Sequence, residues 1–175
     1  MIGKEYSKIF CTTVAIALFV YYVFLILQLT KKDALTGLLN RQAFYSSINN
    51  NPKDITAIVS IDMNGLKKIN DTEGHLAGDE ALTTVASCFF KVAKMKQLVY
   101  RTGGDEFIII CKRTSEDELL KLTSRIKELV SETKYSIAIG YSYLDDSSKT
   151  IDDMIKESDI MMYKDKSDYY NSIQE

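Results

Sequence analysis

Two adjacent glycines between apolar runs constrain this chain more than any other feature. Leu98-Val99-Tyr100 leads into Arg101-Thr-Gly-Gly-Asp-Glu-Phe107, and Phe107-Ile-Ile-Ile-Cys111 leads out of it. The β-branched and aromatic flanks read as strands. Gly103-Gly104 reads as a tight reversal, because glycine accepts φ > 0 without steric cost. An antiparallel hairpin is therefore expected. Asp105 and Glu106 stand at its tip, where they meet solvent, a cation or each other. Solvated charge is the ordinary reading of such a pair. The bare glycine backbone beside them also leaves room for a phosphate and a metal.

The rest of the chain supplies helices and further strands. Arg41 to about Asn49 reads as a short helix, and Pro52, the only proline, precedes the first long strand. Ile55-Thr-Ala-Ile-Val-Ser-Ile61 is rich in β-branched residues and reads as a buried central strand, with Asp62 at its C-terminal edge. Helices are expected at Asn64–Asp71 and at about Leu76–Lys94. In the second, Leu82, Val85, Ala86, Phe89 and Phe90 form a core-facing stripe. After the hairpin, Ser115 and Glu118 are spaced as a capping box for a helix to about Glu132. Tyr135 to Tyr143 alternates as a strand, and Ile151 to about Lys166 is the last helix. Helices packed on a sheet that contains an antiparallel hairpin make an α+β domain.

The first thirty residues differ. Ile9 to Leu29 carries no charged residue, and Thr12, Thr13, Gln28 and a few tyrosines are its polar members. Such a helix is long enough to cross a hydrocarbon core of about 30 Å. Lys4 and Lys8 flank one end and Lys31 and Lys32 the other, so the lysine count does not orient it. A signal peptide and a buried core helix are the alternatives; the run is long for the first, and no small-x-small cleavage pattern precedes Lys31. A membrane anchor fits best. With a net charge of −2 and no basic cluster, nucleic acid is not an expected partner. One histidine in the whole chain argues against zinc. Cys11, Cys88 and Cys111 lie in apolar runs without paired spacing and read as reduced, buried residues.

Several segments together resemble the GGDEF-domain family of diguanylate cyclases. They are Asp33-Ala-Leu-Thr-Gly-Leu-Leu-Asn-Arg41, Asp62-Met-Asn-Gly-Leu-Lys-Lys-Ile-Asn-Asp-Thr-Glu-Gly-His-Leu-Ala-Gly-Asp79, the hairpin, Ser136-Ile-Ala-Ile-Gly140 and Asp159-Ile-Met-Met-Tyr-Lys-Asp-Lys166. They stand in family order from Asp33 to about Tyr170. The resemblance implies a five-stranded mixed sheet flanked by helices, related to the palm of polymerases and nucleotide cyclases. It implies condensation of two GTP into cyclic di-GMP, dependent on Mg²⁺ (or Mn²⁺), in a homodimer whose domains each present one GTP. GTP use places the domain in the cytoplasm, hence a single-pass protein of the inner (cytoplasmic) membrane with its N-terminus outside. The expected organisation is 1–32 anchor and linker, with the span at about 9–29, then 33–171 GGDEF domain and 172–175 tail. The few residues before the span leave no room for an external sensor within this chain, and 29–33 is too short for a signalling coil.

Residue roles follow from the same resemblance. Asp62 and Asp105 are the metal carboxylates, provided their strands are neighbours, with the backbone carbonyl of Met63 as a further ligand. Asp105 is also the candidate base for the attacking 3′-hydroxyl, and Glu106 is expected beside it as a catalytic group that holds a second metal or supports the first. Lys67 and Lys166 are expected on the triphosphate, and Asn70 and Asp79 on the guanine edge. His75 and Leu66 line the substrate side. Taken singly, most of these are surface charges; the surrounding motifs carry the assignment. Amides of Met63 to Lys67 open a helix, a setting that favours anions.

Four departures matter. Asn64 stands where a second Asp is usual, and Gly65 and Leu66 where aromatics are usual. Tyr170 replaces a common arginine, which weakens the expected triphosphate grip. Lys94-Met-Lys-Gln97 stands where many relatives carry an Arg-x-x-Asp product site, so feedback is expected to be weak or absent. A catalytically inactive GGDEF module that binds GTP or a protein partner is the alternative function. A different purine-nucleotide cyclase is a third, disfavoured by Asp79.

Overall fold

The computed structural model describes residues 2–29, 31–50, 52–144 and 149–172. It falls into two compact units, Met1–Lys32 and Asp33–Glu175.

The first unit is one helix, α1 (Ile2–Leu29). Its stretch Lys8–Ile26, 19 residues, is long and apolar enough to cross a membrane. At 1.5 Å per residue that is about 29 Å, close to a bilayer's hydrocarbon thickness. Phe10, Leu18 and Phe19 are each more than 60% exposed, at 70, 63 and 66%. The Thr12 and Thr13 hydroxyls donate back to the Lys8 and Ile9 carbonyls, which satisfies them without water. Cys11 is exposed on this helix rather than buried, correcting the sequence expectation. The side chain of Lys4 lies outside the described residues.

The second unit runs β1 (Leu39–Asn40), α2 (Arg41–Asn50), a short 3-10 turn (Pro52–Asp54), β2 (Ile55–Met63), α3 (Leu66–Glu73), α4 (His75–Val92), β3 (Gln97–Arg101), β4 (Glu106–Lys112), α5 (Glu116–Ser131), β5 (Ile137–Tyr143) and α6 (Ile151–Ser172). The sheet order is β1-β3-β4-β2-β5. β1 pairs parallel with β3, and every other neighbouring pair is antiparallel. β2 is central and buried on both faces. Ala57, Val59, Ile61 and Met63 meet Val85 and Phe89 of α4 and Ile126 of α5. Ile55 and Ile58, on the other face, join Phe44 of α2 and Met154 of α6. A bulge between Ile55 and Ala57 lets two residues three apart share that face.

Three expectations are corrected here. Phe90 is 56% exposed, although Phe89 packs edge-on to Phe107 at 5.2 Å. Neither Gly103 nor Gly104 takes a positive φ, and the hairpin closes through a four-residue loop, with Thr102 N–H and Gly103 N–H on the Glu106 carbonyl at 2.9 and 3.3 Å. The last helix continues past Lys166 through Ser172, a residue assigned to the tail; residues 173–175 lie outside the described ones. The capping box forms as read, with Glu118 N–H on Ser115 Oγ and Ser115 N–H on the Glu118 carboxylate. Cys88 and Cys111 are buried, and burial pushes the Cys111 thiol up to about 12, so it stays neutral.

Candidate active site

β2 and β4 are neighbours, and their register sets Asp62 opposite Glu106. Beyond it, the Met63 N–H donates to the Asp105 carbonyl at 2.9 Å. Asp62 and Asp105 thus reach the same end of the sheet. The turn that carries Asp105 is held from below by Arg101, whose guanidinium donates to the Gly104 carbonyl at 2.8 and 3.2 Å. The same guanidinium reaches Asp33 Oδ1 at 3.1 Å, and Thr36 donates its N–H and hydroxyl to that oxygen. Burial pushes the Asp33 carboxyl up, but these bonds outweigh it and hold Asp33 below its ordinary value. Neither Asp33 nor Arg101 was singled out from the sequence for this role. The Asp-x-x-Thr spacing, which favours an Asx turn, was the available signal.

A depressed native pKa means that Asp33 stabilises the fold fully above about pH 4, its unfolded range, and less as pH falls through the native value. Asp33→Ala is expected to cost about 1–3 kcal/mol near neutrality. Urea denaturation from pH 7 to pH 3 should show the gap between parent and variant narrowing on the acid side. A gap constant across that range would contradict the assignment.

Asp62 is 6% exposed and accepts a hydrogen bond from Lys166 Nζ at 2.7 Å. Burial raises its pKa, Lys166 pulls it back, and the nearby Asp105 charge raises it again, leaving it above its ordinary value. Such a carboxylate gains from a nearby cation. Among the described residues no three His, Cys, Asp or Glu side chains gather into a metal cluster. Two carboxylates are nonetheless a sufficient protein share for Mg²⁺, which usually takes one or two of them plus substrate phosphates. The donor set therefore fits a divalent ion that arrives with a nucleotide.

After β2 the chain turns through Gly65, whose φ of 73° is left-handed, and opens α3 with no side-chain cap. Leu66 packs partly against the core, while Lys67 is exposed beside the open amides. The Gly65 N–H itself donates to the Tyr170 hydroxyl at 3.2 Å. Asn64 is buried, and neither polar atom of its side chain has a partner among the described residues.

α3 and α4 form a helical hairpin about Gly74, whose N–H closes on the Asn70 carbonyl at 3.1 Å. The Asn70 side chain lies directly over Gly78, where a β-carbon would overlap its Oδ1. Asp79 follows on α4 and is exposed, so the hairpin brings the two expected guanine-reading residues to neighbouring positions. His75 is exposed at the first position of α4. Lys166, expected on a triphosphate, pairs with Asp62.

Taken together, the mixed five-stranded sheet and its flanking helices are those of a GGDEF-type α+β domain. The chain belongs to the GGDEF family, described as "Diguanylate cyclase, GGDEF domain", whose pattern matches residues 30–172. It is 33% identical to the diguanylate cyclase DgcM of Escherichia coli over 153 residues, covering 81% of this chain and 37% of DgcM. It is 32% identical to the cyclic di-GMP phosphodiesterase PdeR of Escherichia coli over 152 residues, covering 79% of this chain and 23% of PdeR. It thus spans little more than a third of the first relative's length and under a quarter of the second's. The coiled coil and GGDEF domain of DgcB from Caulobacter crescentus, solved with c-di-GMP, superposes with a TM-score of 0.82 at 21% identity over 92% of this chain and 93% of that one.

Proposed function

We propose that this chain is a membrane-anchored diguanylate cyclase that joins two GTP into cyclic di-GMP and releases two pyrophosphates. The observation that carries this reading is the meeting of Asp62 and Asp105 at one sheet end, beside the uncapped start of α3. In each half-reaction a 3′-oxygen attacks the α-phosphorus of the second GTP, the bond to pyrophosphate breaks, and the hydroxyl proton passes to Asp105. Asp62 and Asp105, with the Met63 carbonyl, would hold Mg²⁺ or Mn²⁺, which when bound would neutralise phosphate charge and favour in-line displacement. Glu106 adds acidity at the rim. Lys67 and Lys166 balance the β- and γ-phosphates, and the α3 amides donate hydrogen bonds to the phosphate oxygens. Asn70 and Asp79 read guanine: a carboxylate pairs with its N1–H and exocyclic amine, a donor pair that adenine lacks. Leu66 and His75 flank the base side.

One such site holds one GTP, so two domains must face each other to place the nucleotides head to tail. A homodimer is therefore the working form. The apolar α1 anchors it in the cytoplasmic membrane as a single span, with the domain from Asp33 onward in the cytoplasm. Sharing a membrane raises the local concentration of the two domains. Pyrophosphate release from GTP by the full chain in detergent, with Mg²⁺, tests the chemistry. Asp105→Ala is expected to lower it by about 10²–10⁴-fold; an unchanged rate would remove Asp105 from the mechanism.

Product feedback is expected to be weak. Gln97 is neutral and turned onto the Lys94 N–H at 2.7 Å, and Arg125 of the adjoining groove is engaged by Glu128. Lys94 and Gln97 thus stand in place of the Arg-x-x-Asp pair. Inhibition by cyclic di-GMP at roughly micromolar concentration, the range of an ordinary specific ligand, would contradict this. The second reading, an inactive GTP-binding or protein-interaction module, is favoured by Tyr170 in place of the arginine. The likeness to PdeR, named for a different activity, points the same way.

A further inference from the structure

Helix α6 touches the C-terminal end of β2 and the loop that follows it at two points one turn apart. Lys166 Nζ donates to Asp62 Oδ1 at 2.7 Å, and Tyr170 Oη accepts the Gly65 N–H at 3.2 Å. Residues four apart share a helix face, so a single rigid element engages both ends of Asp62-Met63-Asn64-Gly65. Between these contacts lies Asn64, 4% exposed, with both polar side-chain atoms unpartnered among the described residues. The ends of this segment are thus taken up by α6, while at its middle the Met63 and Asn64 amides donate to the Asp105 and Ser136 carbonyls and only the Asn64 side chain is without a partner among the described residues. Tyr170 sits at the rim, 37% exposed and edge-on to Tyr169 at 5.3 Å, so its ring has solvent to swing into.

We propose that Tyr170 is a built-in competitor of the nucleoside triphosphate: its hydroxyl holds the Gly65 amide that a phosphate oxygen must take, and substrate binds by displacing it. This rests on the reading above, in which the start of α3 receives the phosphates. A phosphate oxygen is the stronger acceptor because its hydrogen bonds are charge-assisted, so exchange runs toward the bound nucleotide. The free chain nonetheless stabilises its own closed loop, and apparent affinity falls by that amount. An arginine at position 170 would be a ligand for phosphate; a tyrosine with its oxygen on a backbone donor is a stopper. The effect is confined to the phosphate end and leaves base recognition untouched.

Equilibrium dialysis with the full chain in detergent separates these roles. The probes are α,β-methylene GTP, which cannot release pyrophosphate, inorganic tripolyphosphate and guanosine. Tyr170→Phe keeps the ring and loses the oxygen. It is expected to bind the first two about two- to tenfold more tightly than the parent, the worth of one neutral hydrogen bond, and guanosine equally. Tyr170→Leu should shift the same way and serves if the phenylalanine variant does not fold. Equal or weaker tripolyphosphate binding by a folded variant would overturn the proposal, making the hydroxyl a bystander or a phosphate ligand. A folded parent that binds none of the three probes would instead overturn the nucleotide reading beneath it.

Discussion

Gly140→Ala is expected to destabilise the domain by about 2–4 kcal/mol, a large part of the 5–15 kcal/mol that holds an ordinary domain together. Gly140 lies on β5 where α6 crosses it, and a β-carbon there would overlap Met162 N, Ser158 O and Met161 C. These are backbone atoms of a helix, so no rotamer change relieves the clash. The helix is fixed from beneath by buried Met154 and Met162 and by the Ser60–Ser158 hydroxyl pair at 2.8 Å. It is also tied to the edge strand by Asp165, which accepts the Ile139 N–H at 2.8 Å. The strain must therefore lift α6 or bend β5. Either movement carries Lys166 and Tyr170 away from the loop after β2. Urea denaturation measures the loss directly, with Gly104→Ala as the control, because nothing lies within 4 Å of a β-carbon at that position and its φ is not positive. A shift below about 0.5 kcal/mol in Gly140→Ala, the scale of a neutral surface change, would contradict this packing.

Gly78→Ala is expected to do the opposite: leave stability unharmed and damage catalysis. Gly78 is inside α4, where alanine is favoured over glycine by roughly 1 kcal/mol. The atom it would strike is the free end of the Asn70 side chain, which can rotate away. Rotation removes one of the two groups assigned to the guanine edge and leaves Asp79 alone. Losing one such bond is expected to lower kcat/KM for GTP by about 10- to 100-fold, mostly through KM, with an unchanged or raised melting temperature. A variant with parental kcat/KM would separate Asn70 from substrate recognition. Two glycine-to-alanine changes thus differ in sign because one meets backbone and the other meets a side chain.

Much of this architecture is legible in the residues. The β-branched run of β2, the alternation of β5 and the capping box at Ser115 and Glu118 each record a local rule, and each element forms. The stripe on α4 fails only at Phe90. Neighbours on a helix diverge by about 100°, so Phe89 and Phe90 cannot both face the core, and β4 takes Phe89. β1 has only two residues and therefore no period to read; its pairing with β3 exists because Asp33 and Arg101 hold the chain there. In the same way, nothing local tells Lys166 to meet Asp62, or Tyr170 to meet Gly65, since more than 100 residues separate each pair. The candidate site was named residue by residue from the family resemblance that the motifs carry. What the spacing does not contain is the set of contacts these residues make when no nucleotide is present.

The most direct measurement is the identity of the product. The full chain in detergent is incubated with GTP and Mg²⁺, and the nucleotides formed are resolved by mass spectrometry beside the Asp105→Ala variant. Cyclic di-GMP from the parent, with pyrophosphate at twice its molar amount and neither from the variant, is the expected result. Untouched GTP from a folded parent, or a monomeric cyclic nucleotide in place of the dimeric one, would contradict it.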